Sequence, residues 1–550
     1  MKRFAMLVVL AACLLGAATA HATFWELRSQ ITSLVDDGQM WQVQGFDEDT
    51  MVGVGYFTSL SSIFDNKMIF RSLDGGTTVE AIFTMNIGLG PGFICRSLVS
   101  ADAIHFTDGG NGLAFGAWAG SLTDCGLLSV EQPYIINTSD GGASWDNIAL
   151  PQVVNETALF AVDFLDDSFG VTAGANNSIW ATGNGGGTWS KLADAPSAFD
   201  EATIYSVSVA SENDIYLAAE EQQGDDDTWW DGGPDDDNPD DSWGEPTERG
   251  SGEALGTYGQ LFGTSNGGAS WTVLKSDETV GYHKVQFLDA DHGWLLALNE
   301  DAGLLDLSYT TDGGSTWTSG VLPEVPGVGT PGDLYFIADF QMLNQQVGWA
   351  VGYSAGDNSV ILKTDDGGAT WDADDYAGEG GLRGIHMVNG RLGFAVGDKM
   401  TVVRFINTEN NPPVADAGED AEVGVGQVVD LDGTGSYDPD GDPITTWTWA
   451  QVSGPDATLS GADTDTASFP ATDGGEYIFQ LVVSDGMQTS AADQVLVTVT
   501  GGGDDDDDDD DSTGDDDDDD DDDDGGLGDD DASTGDDDDD DDDDDSGCCG

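Results

Sequence analysis

The stretch VQFLDADHGWLLALNEDAGLLDLSYTTDGGSTW, residues 285–317, holds two phrases that decide the fold, because both recur along the chain. The first, VQFLDADHGWLLA, runs apolar–polar–aromatic into a polar turn and then into Gly, an aromatic residue and further apolar residues. Such alternation on both sides of a turn predicts a β-hairpin. The second, TTDGGSTW, combines hydroxyl residues, Asp, two glycines and Trp, and we call it the box.

The hairpin phrase is present in seven copies, at 43–55, 104–116, 162–174, 207–219, 285–297, 340–352 and 385–397. Six copies are followed by a box, whereas the last ends in TVVRFIN (401–407). A unit of about 45–65 residues with about four short strands is the repeat of a β-propeller, so seven blades are expected. The missing seventh box predicts that the last blade is completed by pairing between the two ends of the repeat region, which leaves no open edge.

The six boxes are predicted to be structural turns. Their third residue is an acceptor for backbone N–H groups, and their glycines supply positive φ angles. A catalytic carboxylate would not tolerate Asn, and two copies carry Asn. The acceptors are Asp74, Asp140, Asn184, Asn266, Asp312 and Asp366, and five boxes end in Trp145, Trp189, Trp271, Trp317 and Trp371, with Val79 in the first.

These alternating phrases resemble the Asp-box (BNR-type) propellers, most closely the photosystem II stability/assembly factor-like family, over about residues 25–408. Sialidases, xyloglucanases and sortilin-type receptors also carry Asp boxes, so the resemblance implies architecture more firmly than activity. For the assembly-factor family it implies a protein-binding propeller. The arginine-rich face of that family is not evident in a chain with only 15 Lys and Arg residues, so the partner is left open.

Beyond the repeats, residues 411–500 contain SYDPDGD (436–442), TWTW (446–449) and YIFQLVVSDG (477–486). These motifs resemble a PKD-type immunoglobulin-like domain, which implies a β-sandwich. The predicted fold class is therefore all-β, a seven-bladed propeller plus a PKD/Ig-like sandwich. Residues 501–550 carry 31 Asp, separated mainly by Gly, Ser and Thr, and end near Cys548 and Cys549; such a tail is predicted to be disordered.

The N-terminus is predicted to direct export. Residues 1–22 have a basic start, an apolar stretch and the A-x-A sequence Ala20-His21-Ala22, as in a cleaved signal peptide. The alternative is a lipoprotein leader, since LAAC (10–13) would present Cys13 for lipidation. Export favours a disulfide between Cys95 and Cys125. No later stretch reaches the ~20 apolar residues of a membrane-spanning helix.

The formal net charge is −90, and the last basic residue is Arg404. Such a chain repels nucleic acid and anionic lipid, so cations and basic surfaces are the electrostatic partners expected. Calcium is the one cofactor suggested: Asp438, Asp440 and Asp442 stand at alternate positions, with Gly441 for the bend. A solvated turn is the alternative. A weaker calcium candidate is Asp231, Asp235 and Asp237, within the acidic insertion at 220–256.

No catalytic residues are predicted. The seven arginines after the leader form no sialidase-like motif, and the five histidines have neither triad nor metal spacing. His105 and His386 occupy matching places in their hairpins, which favours a repeated structural role. We expect a secreted or cell-surface binding or scaffold protein whose propeller binds a protein or glycan. The alternative is a secreted glycoside hydrolase with a PKD accessory domain. The tail would be a solvated spacer, a weak calcium buffer or a surface attachment ending in the Cys pair.

Overall fold

The structure is a computed structural model. It describes residues 25–29, 37–58, 66–84, 98–99, 101–121, 129–148, 150, 158–196, 203–222, 257–299, 304–325, 335–354, 358–374, 376, 378–408 and 410–501. Within them the chain is built almost wholly from β-strands, apart from one short 3-10 turn at Ala175–Asn177. No helix of these residues is long and apolar enough to cross a membrane.

Strand β1 (Trp25–Ser29) comes first, and the sheets that follow it appear in the order of the hairpin phrases. Blade 1 comprises β2 (Asp37–Gly45), β3 (Thr50–Thr58), β4 (Asn66–Leu73) and β5 (Glu80–Thr84). Blade 2 comprises β6 (Leu98–Val99), β7 (Ala103–Phe106), β8 (Gly112–Ser121), β9 (Ser129–Thr138) and β10 (Asp146–Ile148). Blade 3 comprises β11 (Leu159–Phe164), β12 (Gly170–Gly174), β13 (Ile179–Thr182) and β14 (Ser190–Lys191).

The next four sheets repeat this arrangement. Blade 4 comprises β15 (Thr203–Val209), β16 (Asp214–Gln222), β17 (Thr257–Ser265) and β18 (Thr272–Asp277). Blade 5 comprises β19 (Gly281–Phe287), β20 (Gly293–Asn299), β21 (Leu304–Thr310) and β22 (Thr318–Ser319). Blade 6 comprises β23 (Tyr335–Met342), β24 (Gly348–Ser354), β25 (Ser359–Thr364) and β26 (Asp372–Ala373). Blade 7 comprises β27 (Leu382–Asn389), β28 (Leu392–Gly397) and β29 (Val402–Ile406).

The ring closes through the first strand of the chain. Strand β1 pairs antiparallel with β29 and becomes the outer strand of blade 7, with Trp25 opposite Phe405. The innermost strands of successive blades contact one another in turn, and β27 contacts β2. Across the described residues this gives a seven-bladed β-propeller whose first strands surround a central tunnel. The prediction that the two ends of the repeat region pair to complete the last blade is confirmed.

The apolar core of the propeller lies between blades. One cluster joins Val171 and Ile179 of blade 3 to Ile215 and Phe262 of blade 4. Another joins Trp25 of β1 to Trp349 of blade 6, and both rings contact Phe405. Each sheet therefore buries both faces against its neighbours, which explains why its second strand is apolar at nearly every position.

A β-sandwich follows the propeller. Its larger sheet has the order β30–β35–β34–β32 and its smaller one pairs β31 with β33. The core includes Trp449, Phe469, Phe479 and Val497, all nearly inaccessible to solvent. The strands are β30 (Ala421–Gly424), β31 (Val428–Asp432), β32 (Thr446–Ser453), β33 (Thr466–Pro470), β34 (Gly475–Ser484) and β35 (Asp493–Thr500).

Candidate functional site

One position of the hairpin phrase joins each blade to the next around the tunnel. It is the polar residue between the two apolar ones, and we call it the seam position: Gln44, His105, Asp163, Ser208, Gln286, Gln341 and His386. The amide of Gln44 donates to the carbonyl of Phe106 at 2.6 Å and accepts from the N–H of Phe106 at 2.7 Å. Gln286 makes the same pair of bonds with Met342.

The other seams follow the same rule with different chemistry. Asp163 accepts the N–H of Val209 at 2.8 Å, and Ser208 accepts that of Phe287 at 2.8 Å. The last seam closes the ring, because Nδ1 of His386 accepts the N–H of Gly45 at 3.2 Å. Six of the seven seam residues thus satisfy a backbone group on the inner strand of the next blade, whereas His105 contacts the next blade through its ring.

The two histidines occupy the same place in the ring. His386 accepts a hydrogen bond, whereas His105 stacks on Phe164 of the next blade with the ring centroids 3.9 Å apart. Burial lowers the pKa of each to about 4, so both are neutral at pH 7. Their matching positions therefore have a common structural explanation.

A second recurring position, three residues before the seam and two before the hairpin phrase begins, lies toward the start of the inner strand. We call it the rim position: Trp41, Asp102, Phe160, Tyr205, His283, Ala338 and Arg383. In six blades this residue is the extra one in a β-bulge, for example Phe160 between Leu159 and Ala161. In blade 2 the inner strand is interrupted there, between β6 and β7. A bulge redirects a side chain out of the regular alternation, and bulges are frequent beside functional sites.

Side chains of the rim touch across blade boundaries. The rings of Phe160 and Tyr205 are nearly parallel with centroids 6.1 Å apart, and those of Tyr205 and His283 follow at 6.3 Å. Tyr205 keeps 45% of its surface exposed. On the opposite side, the Arg383 guanidinium lies 3.7 Å from the ring centroid of Tyr353. The described rim residues therefore form an aromatic-rich entrance to the tunnel.

Charged groups surround this entrance and the tunnel below it. Asp398 holds Arg383 through two hydrogen bonds of 3.2 Å, and Glu220 lies 3.3 Å from the imidazole of His283. Deeper in the tunnel, Lys284 pairs with Asp339 at 2.9 Å. Burial raises the pKa of Asp163 to about 6, although the Val209 N–H and Lys284 oppose the shift.

The boxes mark the opposite face of the propeller. In each of the six, the first glycine donates its N–H to a carbonyl of the hairpin turn of the same blade, as Gly313 does to Asp291 at 3.0 Å. The hairpin turns and boxes therefore share one face, and the rim, near the starts of the inner strands, lies at the other. Strand β16 ends, and β17 begins, on the rim side.

The β-sandwich packs on the box face. Asn344 of the blade 6 hairpin turn donates to the carbonyl of Asp438 at 3.2 Å, and Arg391 of the blade 7 turn pairs with Asp442 at 2.5 Å. Gly390 is required there, because an added Cβ would lie 1.2 Å from the carbonyl oxygen of Asp440. The sandwich thus packs on part of the box face, away from the rim residues.

The acidic turn proposed for calcium lies at this junction. Asp438, Asp440 and Asp442 are all buried, with Asp442 bound to Arg391 and Asp440 accepting from Asn411. Oδ2 of Asp438 has no hydrogen-bond partner, and burial raises the pKa of Asp438 to about 6. In the described part of the chain, no three His, Cys, Asp or Glu side chains converge as a metal-binding group. Calcium at this turn stays a prediction.

Four sequence predictions lie outside the described residues. These are the leader at 1–22 with Cys13, the Cys95–Cys125 disulfide, the second calcium candidate at Asp231, Asp235 and Asp237, and the tail at 502–550.

Comparisons with known proteins matched one family model and several solved structures. Residues 417–499 match a family model that describes a PKD domain. The structure of YCF48 bound to a D1 peptide is 14% identical, covers 70% of this chain and 98% of its own, and superposes with a TM-score of 0.42. A GH74 xyloglucanase from Xanthomonas campestris is 12% identical over 84% of this chain and 80% of its own, with a TM-score of 0.37. No curated protein matches the chain.

A solved PKD domain from the KIAA 1837 protein is 29% identical over 17% of this chain and 92% of its own, with a TM-score of 0.15. The molecule is therefore an all-β protein that combines a seven-bladed β-propeller with a PKD domain. Its structural neighbours include both binding factors and glycoside hydrolases, and these likenesses concern the fold alone.

The rim was not predicted from the sequence, because it lies just before the repeated phrase. The signal was a contrast between equivalent positions of the seven repeats. The residue just before the seam is apolar in all seven copies, whereas the rim residue is different in every one. A bulge does not show in a hydrophobic pattern, so the direction of these side chains required the structure.

Proposed function

We propose that the protein is an exported, non-catalytic binding protein that holds a macromolecular partner at the rim of its propeller. The observation that supports this proposal is that the rim residue differs from blade to blade. Seven equivalent positions carry Trp, Asp, Phe, Tyr, His, Ala and Arg, while the positions that build the blades repeat one another. In a repeat protein, the positions that build the scaffold pack in the same way in every copy and therefore carry similar residues. Positions that contact a ligand meet a different part of it in each copy and therefore carry different residues.

The position of the PKD domain supports the same proposal. It packs against the box face through Asn344 and Arg391, and so lies on the face opposite the rim residues. In this arrangement the PKD domain acts as a spacer between an attachment point and the binding face.

The alternative function is glycoside hydrolysis, which requires two carboxylates free to act on a sugar. Asp163 and Asp339 are carboxylates that face the tunnel. Each accepts a backbone N–H from the next blade, from Val209 at 2.8 Å and from Ile385 at 3.0 Å. Their engagement in the contacts between blades supports binding over hydrolysis.

The test uses the purified protein and cell-envelope preparations of the source organism. Phe160→Ala/Tyr205→Ala should weaken envelope binding by about tenfold, the range for losing buried aromatic contacts. A matched control, Val273→Ala/Val428→Ala, removes two exposed apolar side chains elsewhere and should bind as the wild type. Equal binding by the rim variant would contradict the proposal. So would polysaccharide hydrolysis that is abolished by Asp163→Asn or Asp339→Asn.

A further inference from the structure

We propose that the rim takes an extended, lysine- or arginine-bearing segment of a protein partner. This inference rests on the proposed function and names the chemistry of its ligand. It is carried by the spacing of the aromatic rings and by the balance of charge around them.

The spacing of the rings fits an extended peptide. The centroids of Phe160, Tyr205 and His283 are separated by 6.1 and 6.3 Å in a row across three blades. The planes of successive rings differ by only 18° and 22°. In an extended chain the side chains on one side recur about every 6.7 Å, twice the rise per residue. Alternate side chains of a bound strand would therefore meet successive rings.

The charge around the rings favours cationic side chains. Carboxylates at this entrance are Asp102, Glu220 and Asp398, and the tunnel below adds Asp163 and Asp339. Among the described residues, the cations of the same region are Arg383, bound by Asp398 and the Tyr353 ring, Lys284, paired with Asp339, and Lys399, exposed next to Asp398. The negative groups thus outnumber the positive ones, and ring faces attract ammonium and guanidinium groups.

An anionic partner is disfavoured by the same contacts. Of the described cations at the rim, Arg383 is bound by Asp398 at 3.2 Å on two nitrogens, and Lys399 directly follows the same Asp398 in the chain. The net charge of −90 also acts at longer range, drawing basic segments toward the molecule and repelling acidic ones.

The experiment must separate the rim from the aspartate tail, which attracts cations without specificity. An eight-residue peptide of alternating Lys and Ser, carrying a photo-crosslinking group, is added to the full-length protein at about 0.15 M salt, where long-range attraction is screened. The cross-linked residues are then mapped by mass spectrometry. We expect cross-links on the inner strands of blades 3, 4 and 5, which contain Phe160, Tyr205 and His283. A Glu/Ser peptide of the same length should give none there.

Three variants make the result decisive. Phe160→Ala/Tyr205→Ala should lower the cross-link yield at the rim about tenfold. Glu220→Gln should lower it by a smaller factor, while Val273→Ala/Val428→Ala should leave it unchanged. Cross-links confined to the tail, or a rim yield unaffected by the double variant, would overturn the inference. Competition by a neutral oligosaccharide but not by unlabelled Lys/Ser peptide would also overturn it. Envelope binding that still depends on Phe160 and Tyr205 would then leave the proposed function standing.

Discussion

At the scale of single residues, the seam position shows how one slot in a repeat accommodates different side chains. Glutamine fills it in three blades and bonds both the N–H and the carbonyl of the next inner strand. Asp, Ser and His fill it elsewhere through an acceptor atom. Six of the seven seams thus share an acceptor that reaches the backbone of the neighbouring blade, and the seventh, His105, stacks on Phe164 instead.

His386 is predicted to make stability depend on pH. Its folded pKa is about 4 against an ordinary 6.5, so between these values the unfolded chain binds the proton more readily. Stability should fall as the pH drops from about 6.5 to 4. His386→Gln, which copies the seams of Gln44 and Gln341, should keep the ring closed and reduce this dependence. Urea unfolding of both proteins across that pH range is the measurement, and identical slopes would contradict the assignment.

His386→Ala tests at pH 7 how much the hydrogen bond of His386 contributes to stability. It leaves the N–H of Gly45 without its acceptor and should cost about 1–3 kcal/mol in the free energy of unfolding. A stability equal to that of the glutamine variant would show that the seam bond contributes nothing.

The glycine that ends the hairpin phrase is predicted to be irreplaceable opposite a bulge. An added Cβ at Gly352 would lie 1.8 Å from the carbonyl oxygen of Phe336, next to the bulged Ala338. Gly352→Ala should therefore destabilise the protein by about 3 kcal/mol. Gly183→Ala, where no atom lies within 4 Å of the added Cβ, is the matched control and should be neutral. The measurement is the melting temperature of each variant, and equal values for the two would contradict the prediction.

At the scale of elements, each box is a turn locked by one side chain. Asp312 accepts the N–H of Thr316 at 2.8 Å and the hydroxyls of Thr310 and Thr316 at 2.8 and 2.7 Å. Asn266 makes the equivalent contacts, with its amide N–H₂ donating to Ser270 at 2.8 Å. The turn therefore requires an oxygen acceptor and a second polar atom, which both residues supply.

Substitution within one box should follow this chemistry. Asp312→Asn is expected to melt within about 1 °C of the wild type, whereas Asp312→Ala, which loses all three contacts, should melt several degrees lower. Differential scanning calorimetry checks the order. A loss with Asn as large as with Ala would mean that the charge itself matters.

At the scale of the whole molecule, the junction between propeller and PKD domain places buried acids beside Arg391. Burial raises the pKa of Asp438 to about 6, above its ordinary 3.8, and Asp442 and Asp440 add to the shift. The folded state therefore loses stability relative to the unfolded chain as the pH rises from about 4 to 6. Asp438→Asn should stabilise the protein at pH 7, by at most about 3 kcal/mol. The gain should vanish near pH 4, as measured by urea unfolding at both values.

Calcium binding at the same turn is predicted from the sequence and is tested with the same variant. Millimolar calcium should raise the melting temperature of the wild type above its value in chelator, because an ion bound only by the folded state stabilises it. Asp438→Asn should lose that increase, while the aspartate tail is unchanged and serves as an internal control. An unmoved melting temperature in the wild type would remove calcium from this site.

The sequence by itself determined the architecture. Period-two alternation, seven copies of the hairpin phrase and six boxes specify strands, turns and blade number, because these depend on local chemistry repeated along the chain. The same seven repeats include the seam and rim positions, but the repeats do not show what these positions do. Those roles depend on which strand edges meet between blades, and on bulges that turn Phe160, Tyr205 and His283 toward the tunnel. Only the closed ring brings these residues, which span 123 positions along the chain, into one row. The tertiary structure likewise decides that the PKD domain packs on the box face, opposite the rim.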